Sequence, residues 1–470
     1  MRFSRGKRRI RASQRNTRGF RSALDNGRPA EVNGKDVVNR RGFIVCAGSA
    51  AIAGASAVSC RNRRLPVIEQ GNDPWDRVRA QFNLARNEID LSALFIASHP
   101  KPVRDAIARY RAILDESPTV YLREQLNSHE DDVLEAAAGY LGASPAEIAL
   151  TDSTTMGLGL VYNGLKLQAG QQILTTLHDY YATHESLRLA AERSGAHIYE
   201  IQLYKQVDTV TTDEILTNIT SAIAPETRVL ALTWVHSNTG LKLPLKEIGD
   251  AVKHINARRD EQQRVLMCVD GVHGFGIENV DMKQTGCDFF MAGCHKWLFG
   301  PRGTGIIWGN KRAWASVNPI IPTFMDDEVR NAWMLDDKPP ERTTAKSMTP
   351  GGFKAFEHQW AMVEAFRFHL EIGKDKIARR THELNRQLKD GLAGMSHVKL
   401  YTPRDESLSS GIVCFDVDGM SPREVVGRLR QKHIIATPTP YARSHARVSP
   451  SIRNSPEEID ITLREIRALA

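Results

Sequence analysis

A lysine and an aspartate carry the strongest chemical signal in this 470-residue sequence. Asp270 ends an apolar run, and Gly271 lets the chain turn close to a ligand at the end of that strand. Lys296 comes later in the chain. It is followed by Trp297 and by a loop that is rich in glycine and nearly uncharged. Such surroundings predict a lowered pKa for Lys296, and a neutral lysine can attack a carbonyl carbon to form an imine. Taken alone, Asp270 fits a structural or metal-binding role equally well.

A run of hydroxyl residues precedes a predicted helix. Thr154 and Thr155 lie between Thr151 and Gly157, directly before apolar residues with helical spacing. The free N–H groups and the dipole of a helix N-terminus attract an anion such as phosphate. Because the dipole contributes at most about 2 kcal/mol, several hydroxyls and a covalent link would have to share the retention of a phosphorylated ligand. In isolation, an ordinary Ser/Thr helix cap explains the same residues.

Motifs for other chemistries are incomplete. Gly157 and Gly159 match the first two glycines of the dinucleotide-binding pattern G-x-G-x-x-G. Tyr162 stands where the third glycine is needed, so the pattern is incomplete. The glycines of residues 300–305 are not followed by the Lys-Ser/Thr of a P-loop. His178 and His184 do not have the spacing of metal ligands, and we expect no metal site.

The candidate residues fall among alternating strands and helices, which indicates a mainly parallel, doubly wound sheet. A helix predicted to end at Ser194 is stopped by Gly195. The fold class is therefore α/β, with a large domain and a smaller α+β C-terminal domain. The predicted strands are residues 173–177, 229–235, 265–269, 305–308 and 411–416. The predicted divisions are a leader (1–64), an N-terminal arm with helices (65–142), the large domain (143–345), and a linker helix with the small domain (346–470).

The pairing of Asp270 with the His-Lys-Trp triplet that starts at His295 resembles the pyridoxal-phosphate enzymes of the class V aminotransferase type, over roughly residues 75–465. The resemblance implies PLP fold type I and the cofactor pyridoxal 5'-phosphate. It implies that Lys296 is catalytic, holding the cofactor's aldehyde and moving protons, and that Asp270 pairs with the ring nitrogen. His273 falls where the family places a partner for the ring hydroxyl, and His295 belongs to the cofactor-binding motif.

The resemblance also assigns four more cofactor-binding side chains. Thr154 and Thr155 match the family's phosphate loop. Tyr180 matches the aromatic ring that stacks on the cofactor, and a rigid ring suits a planar partner. Ser237 matches a position near the ring oxygen in the epimerase-like branch. A large domain carrying these residues is thus expected to bind the cofactor.

Two further matches concern the partners of the chain. Arg447 matches the arginine that binds the α-carboxylate of a small-molecule amino substrate, a task that suits a bidentate guanidinium. A surface arginine is the alternative. Thr349 matches a residue whose hydroxyl reaches the phosphate of a neighbouring subunit, so the resemblance implies a homodimer.

The reaction is less specified than the cofactor. The His-Lys-Trp triplet and the turn from Thr239 to Pro244 look closest to the isopenicillin N epimerase-like branch. Cysteine desulfurases need a mobile cysteine before the substrate arginine, and residues 415–447 contain none. We expect aminotransferase-type tailoring of a peptide natural product or siderophore, as in the periplasmic enzymes of pyoverdine maturation. An epimerase or β-lyase on the same fold is the alternative, and a non-catalytic exported binding protein is a third.

The leader differs from the rest of the chain in charge. Residues 1–64 contain 16 Lys and Arg against 3 Asp and Glu, whereas the remaining residues contain 47 against 52. The basic charge therefore predicts no nucleic-acid partner for the folded part. Arg40 and Arg41 precede an Ala/Gly-rich apolar stretch, so we expect residues 39–59 to be a signal for the twin-arginine translocase. An exported, periplasmic or extracytoplasmic protein follows. A basic tail is the alternative, and a lipid anchor at Cys60 is a weaker expectation.

Overall fold

The computed structural model describes residues 73–470. The leader, its arginine pair and Cys60 lie outside the described residues, so the predictions on export and lipidation stay predictions. No helix within residues 73–470 combines the length and the hydropathy needed to cross a membrane. The strands are β1 (Ile89–Asp90), β2 (Ile148–Thr151), β3 (Gln172–Thr176), β4 (His197–Ile201), β5 (Thr227–Thr233), β6 (Leu266–Asp270), β7 (Phe289–Gly293), β8 (Gly305–Gly309), β9 (Val398–Leu400), β10 (Val413–Val417), β11 (Ile434–Ile435), β12 (Thr437–Pro438) and β13 (Ala446–Val448).

The helices alternate with the strands through the middle of the chain, as predicted. They are α1 (Pro74–Arg79), α2 (Lys101–Glu116), α3 (Pro118–Leu141), α4 (Thr154–Gly164), α5 (Tyr181–Ser194), α6 (Thr212–Ala222), α7 (Leu245–Asn256), α8 (Met282–Thr285), α9 (Asp327–Met334), α10 (Ala345–Met348), α11 (Phe356–Ile372), α12 (Lys374–Ala393), α13 (Pro422–Gln431) and α14 (Pro456–Arg467). α5 ends at Gly195, whose φ of +74° is the left-handed conformation that glycine adopts without strain.

A seven-stranded sheet forms the centre of the large domain, in the order β2-β8-β7-β6-β5-β3-β4. Only β8 runs against its neighbours, pairing antiparallel with both β2 and β7, so the predicted mainly parallel sheet is confirmed. Successive side chains of β6 and β7 enter different apolar clusters: Val269 and Phe290 pack in one cluster, and Cys268 and Met291 in the other. Both faces of the sheet are therefore buried, which explains its apolar runs.

A smaller antiparallel sheet follows, in the order β12-β13-β10-β9. Helices α12, α13 and α14 bury their apolar stripes against this sheet, with Leu388, Val425 and Ile459 completely enclosed. The register of β10 and β13 pairs Cys414 with Arg447. The N-terminal arm joins this part of the molecule, because β1 pairs in parallel with β11. The smaller C-terminal sheet thus agrees with the predicted fold class.

Candidate active site

One cavity of about 420 Å³ lies at the edge of the large sheet where β2, β3, β5, β6 and β7 end. Ligands bind outside the carboxyl ends of strands in open α/β sheets, so this is the edge at which a site is expected. Eight of the predicted side chains line the cavity. They are Thr154, Thr155, Tyr180, Ser237, Asp270, His273, Lys296 and Arg447.

The first turn of α4 forms one end of the cavity. Ser153 caps this helix by accepting a hydrogen bond from the backbone N–H of Met156 at 3.1 Å. The hydroxyl of Thr154 accepts the N–H of Gly293 at 2.7 Å, which leaves its own proton to donate. Thr155 adds a second hydroxyl to the cavity wall. Hydroxyl protons at a helix N-terminus form a suitable end for a phosphate group.

Asp270 lies at the end of β6 and is almost completely buried. One of its carboxylate oxygens accepts the N–H of Val272 at 3.1 Å, and this bond orients the carboxyl group. Burial raises the pKa of Asp270, while that hydrogen bond and the charge of Lys296 oppose the rise. A cation placed in the cavity beside this carboxylate would restore its ionised form. The site therefore fits a protonated ring nitrogen.

Lys296 follows β7, the neighbour of β6, so parallel pairing brings it close to Asp270. The pKa of Lys296 is lowered to about 8, because burial lowers it, the carboxylate of Asp270 opposes this, and the charge of Arg447 adds to the lowering. The lowered pKa predicted from the sequence is thus confirmed. A lysine near this value has a useful fraction of neutral, nucleophilic amine at neutral pH.

His273 is held by the tryptophan of the His-Lys-Trp triplet. The indole N–H of Trp297 donates to Nδ1 of His273 at 3.3 Å. An indole nitrogen can only donate, so Nδ1 is the acceptor and the imidazole proton lies on Nε2. Burial, together with the charges of Lys296 and Arg447, holds the pKa of His273 well below its usual range. A neutral histidine with an Nε2 proton beside the cavity suits an acceptor such as a ring oxygen.

Arg447 lies on β13 and is only 4% exposed. Its guanidinium is fixed at two points: Nη1 donates to the carbonyl oxygen of Ser237 at 2.7 Å, and Nε donates to the hydroxyl of Thr437 at 3.1 Å. Burial lowers the pKa of Arg447 without removing its charge. A buried, oriented guanidinium at the cavity wall is a strong site for a carboxylate.

Two predicted residues lie outside the cavity. Thr349 is buried, and its hydroxyl accepts the N–H of Leu150 at 3.0 Å and donates to the carbonyl oxygen of Ala345 at 3.5 Å. These bonds lie within its own chain, and the predicted reach to a neighbouring subunit stays a prediction. His295 accepts the N–H of Ala97 with its carbonyl oxygen at 3.1 Å. Its place is therefore beside the cavity rather than in the cavity wall.

Other residues of the site were not predicted. Tyr441 shares a hydrogen bond of 2.8 Å with the hydroxyl of Ser237, and its ring meets that of Tyr180 edge-on. Asp179 accepts hydrogen bonds from Thr176 at 2.7 Å and from the N–H of Thr233 at 2.6 Å, so it ties the end of β3 to the end of β5. The sequence signal for Asp179 was its position three residues after a pair of threonines at the end of a predicted strand. No sequence signal pointed to Tyr441.

The comparisons with known proteins agree with this geometry. Residues 97–460 match the aminotransferase class-V family, and the chain belongs to that family. Isopenicillin N epimerase of Streptomyces clavuligerus is 25% identical over 73% of this chain and 84% of its own. A probable cysteine desulfurase of Vibrio cholerae is 23% identical over 82% of this chain and 96% of its own.

Solved structures show the same fold. A cysteine desulfurase from Thermococcus onnurineus has a TM-score of 0.70 at 21% identity, covering 87% of this chain and 98% of that one. A mutant of C-DES, with glycine covalently linked to its PLP cofactor, has a TM-score of 0.72 at 20% identity, covering 83% and 98%. The chain is thus a PLP-dependent enzyme of fold type I.

The side chains present fit this cofactor. Thr154 and Thr155 would hold the phosphate, Asp270 the ring nitrogen and His273 the ring oxygen, while Tyr180 would cover the ring and Lys296 would bind the aldehyde. Among residues 73–470, no cluster of three or more potential metal ligands occurs. Bound pyridoxal phosphate supplies an electron sink for a carbanion at the substrate's α-carbon.

The lowered pKa of Lys296 gives a prediction about cofactor capture. Because only the neutral amine attacks an aldehyde, the rate at which apo-protein binds pyridoxal phosphate covalently should rise with pH through a midpoint of about 8 and level off above it. In Asp270→Asn the midpoint should move to lower pH, since the carboxylate favours the protonated amine. Absorbance after mixing at pH 6–10 measures the rate. A midpoint near the ordinary lysine value of about 10.4 would contradict the prediction.

Proposed function

We propose that the protein is an aminotransferase that acts on the α-amino group of an amino-acid moiety, in the tailoring of a peptide natural product or siderophore. The observation that carries this proposal is the cavity, where Lys296 and Arg447 line one space with Asp270. Arg447 would hold the α-carboxylate and so place the α-amino group toward Lys296. The charge of Asp270 would stabilise the protonated ring nitrogen throughout the reaction.

The number of bases in the cavity favours transamination. One mobile amine can take a proton from the α-carbon and return it to the cofactor on the same face, which is all that transamination needs. Lys296 is the only lysine that lines the cavity within residues 73–470. Epimerisation needs a proton donor on each face of the α-carbon. Burial holds the pKa of His273 well below its usual range, so this neutral imidazole, which accepts the indole N–H of Trp297, would be a poor proton donor to the α-carbon.

Persulfide chemistry is disfavoured by the cysteines. The four cysteines of the described chain are all buried, and none lines the cavity. Burial raises the pKa of Cys294 and of Cys414 to about 12, which suppresses the nucleophilic thiolate. The similarity to cysteine desulfurases therefore extends to the fold and not to the sulfur-accepting residue.

An epimerase is the second candidate, favoured by the hydroxyl pair that Ser237 and Tyr441 form beside Arg447. A single-turnover experiment separates the two reactions. Holoenzyme in deuterium oxide is mixed with a panel of L- and D-amino acids, with Lys296→Ala as the control. Transamination predicts one oxo acid per cofactor, conversion of the cofactor to its amine form, and reversal by added pyruvate. Inverted, deuterated amino acid without oxo acid would establish the epimerase instead, and no change with any amino acid would indicate a binding protein.

Arg447 should set the affinity for the amino substrate. Arg447→Lys keeps the charge but loses the planar fork, so we expect KM to rise about 100-fold, a loss within the range of hydrogen bonds to charged groups. Cofactor absorbance should be unchanged. Arg443→Lys is the matched control, because Arg443 is exposed and donates to the hydroxyl of Tyr401 at 2.9 Å. An unchanged KM in Arg447→Lys would remove this residue from the substrate site.

We extend the proposal to a homodimer. Three large aromatic side chains of the segment beyond the large sheet are exposed: Phe353 at 86%, Trp333 at 81% and Phe324 at 58%. Phe353 lies edge-on to Phe356 at the start of α11, close to Thr349 in the chain. Exposed apolar groups of this size are typical of an interface. Sedimentation should give twice the mass of one chain, and Phe353→Asp should lower it. A monomer in the unsubstituted protein would contradict the proposal.

Export through the twin-arginine translocase completes the proposal. It is supported by the arginine pair and by the cofactor, because a group that a folded site retains must cross the membrane with the folded protein. Replacing Arg40 and Arg41 with lysine should leave the protein inside the cell. Cys60→Ala tests the weaker lipid anchor. If Cys60 carries a lipid, the substitution should move the protein from the membrane fraction to the soluble fraction, and if it does not, the distribution should stay the same.

A further inference from the structure

Part of the cavity lining is apolar and comes from the N-terminal arm and from residues 438–440. Leu94 and Phe95 of the N-terminal arm line the cavity together with Pro438 and Pro440, and we call these four residues the apolar rim. The charged side chains of the cavity are Asp270, Lys296 and Arg447, each already matched to the cofactor or to a carboxylate. None of the four rim residues is charged, so the rim itself offers no ion-pair partner to the side chain of a substrate.

The arm that carries Phe95 is fixed on both sides. Ala97 donates its N–H to the carbonyl oxygen of His295, next to Lys296, at 3.1 Å. On the other side, Leu94 donates its N–H to the hydroxyl of Ser449 at 3.4 Å, two residues beyond Arg447. Phe95 is therefore held between the chain segment that carries the reactive lysine and the strand that carries the carboxylate-binding arginine.

Phe95 is 68% exposed although it lines a cavity. A large apolar side chain in this position gains stability when a ligand covers it. The α-carboxylate would lie at Arg447 and the α-amino group at Lys296. A substituent of the α-carbon that extends toward Phe95 would then cover this side chain.

We infer that Phe95 determines specificity by packing against an uncharged, apolar substituent on the α-carbon of the substrate. The inference rests on the proposed function, since it takes the amino group and the carboxylate to be placed as described above. It narrows the substrate class to amino-acid moieties whose substituent presents apolar surface near the α-carbon. A substituent with a charge at that position finds no partner at the rim.

A series of straight-chain amino acids tests the inference. L-Alanine, L-2-aminobutyrate, L-norvaline and L-norleucine differ by one CH₂ group each, and their affinities for holoenzyme can be measured from the change in cofactor absorbance. In the unsubstituted protein, affinity should increase about two- to fourfold per CH₂ group, the range for partial to full burial. Phe95→Ala should flatten this dependence to less than about 1.5-fold per group, and Phe95→Leu should restore most of it. L-Alanine should bind all variants within about twofold.

Tyr199→Ala is the matched control, because Tyr199 is an exposed aromatic residue on β4 outside the cavity. It should keep the dependence on chain length of the unsubstituted protein. The inference would be overturned if affinity increased with chain length as steeply in Phe95→Ala as in the unsubstituted protein. It would also be overturned if affinity did not increase with chain length in the unsubstituted protein. A changed assembly mass in Phe95→Ala with the dependence unaltered would also overturn it, in favour of a subunit contact. Failure of the proposed function would give a different result. In that case, no amino acid would change the cofactor absorbance of the unsubstituted protein or of any variant that contains the cofactor.

Discussion

Lys296→Ala is expected to lower the turnover of an amino substrate by at least about 10³-fold, within the range of a lost general acid–base group. Lys296 is the only lysine of the cavity within the described residues, so no neighbouring amine replaces it. The variant should bind pyridoxal phosphate without the covalent link, and the cofactor should be removed by gel filtration. Turnover and cofactor content after filtration are the measurements.

Two further variants sharpen this test. Lys296→Arg keeps a positive charge but provides no neutral amine, so it should behave like the alanine variant. Lys283→Ala removes an exposed lysine of α8 and should retain full turnover and full cofactor content. Retention of the covalent cofactor in Lys296→Ala would place the attachment on another residue.

Asp270→Asn should produce the second largest loss, about 10²–10³-fold in turnover, with the cofactor still attached. The substitution keeps the size of the side chain and an oxygen for the N–H of Val272, but removes the charge that would face the ring nitrogen of the cofactor. Breaking a buried ion pair costs about 3–5 kcal/mol, which corresponds to this range of rates. The measurements are turnover and the mass of the reduced, cofactor-bearing protein.

A buried aspartate outside the cavity provides the control. Asp288 accepts the N–H of Met267 at 2.9 Å and the side-chain amide of Asn310 at 2.9 Å. Asp288→Asn should lower the free energy of unfolding without affecting turnover by more than a few-fold. If both aspartate variants lost turnover equally, the effect of Asp270 would be structural, and the ring-nitrogen role would be wrong.

The central pair of the site was predicted from residue types and from the resemblance, and the sheet topology now explains why the two residues lie together. Asp270 and Lys296 are separated by a short helix, yet they end up together because β6 and β7 are parallel neighbours whose carboxyl ends meet at one edge. The apolar runs of β3, β5, β6 and β8 revealed those strands, since both faces of the sheet are buried. The end of a predicted strand located Asp270, whereas β7 was not predicted and Lys296 was located from its loop and from the resemblance.

Boundaries and edge strands were harder to predict. The run 173–177 continues to Leu177, but β3 ends at Thr176 because Asp179 binds Thr176 and turns the chain, leaving Leu177 55% exposed. β4 was not predicted, since it lies at the sheet edge and its five residues are only partly buried or exposed. In both places a local bond or an exposed edge outweighs the apolar pattern.

The contacts of distant segments could not be read from the sequence. Tyr441 reaches Ser237, and Phe95 lies between the loop of His295 and the strand of Arg447, only because the small sheet and the arm close over the large one. Thr349 was assigned by resemblance, and its hydrogen bonds to Leu150 and Ala345 could not be read from the sequence. Residues on irregular segments carry no periodic signal from which their partners follow.

The central claim is that one lysine holds pyridoxal phosphate opposite an aspartate. The most direct test is to reduce the purified protein with borohydride, digest it and find the peptide that has gained a pyridoxyl group by mass spectrometry. The account predicts a single modified peptide, with the added mass on Lys296. A colourless protein that stays unmodified at Lys296 after reconstitution with pyridoxal phosphate, or modification of a different lysine alone, would contradict it.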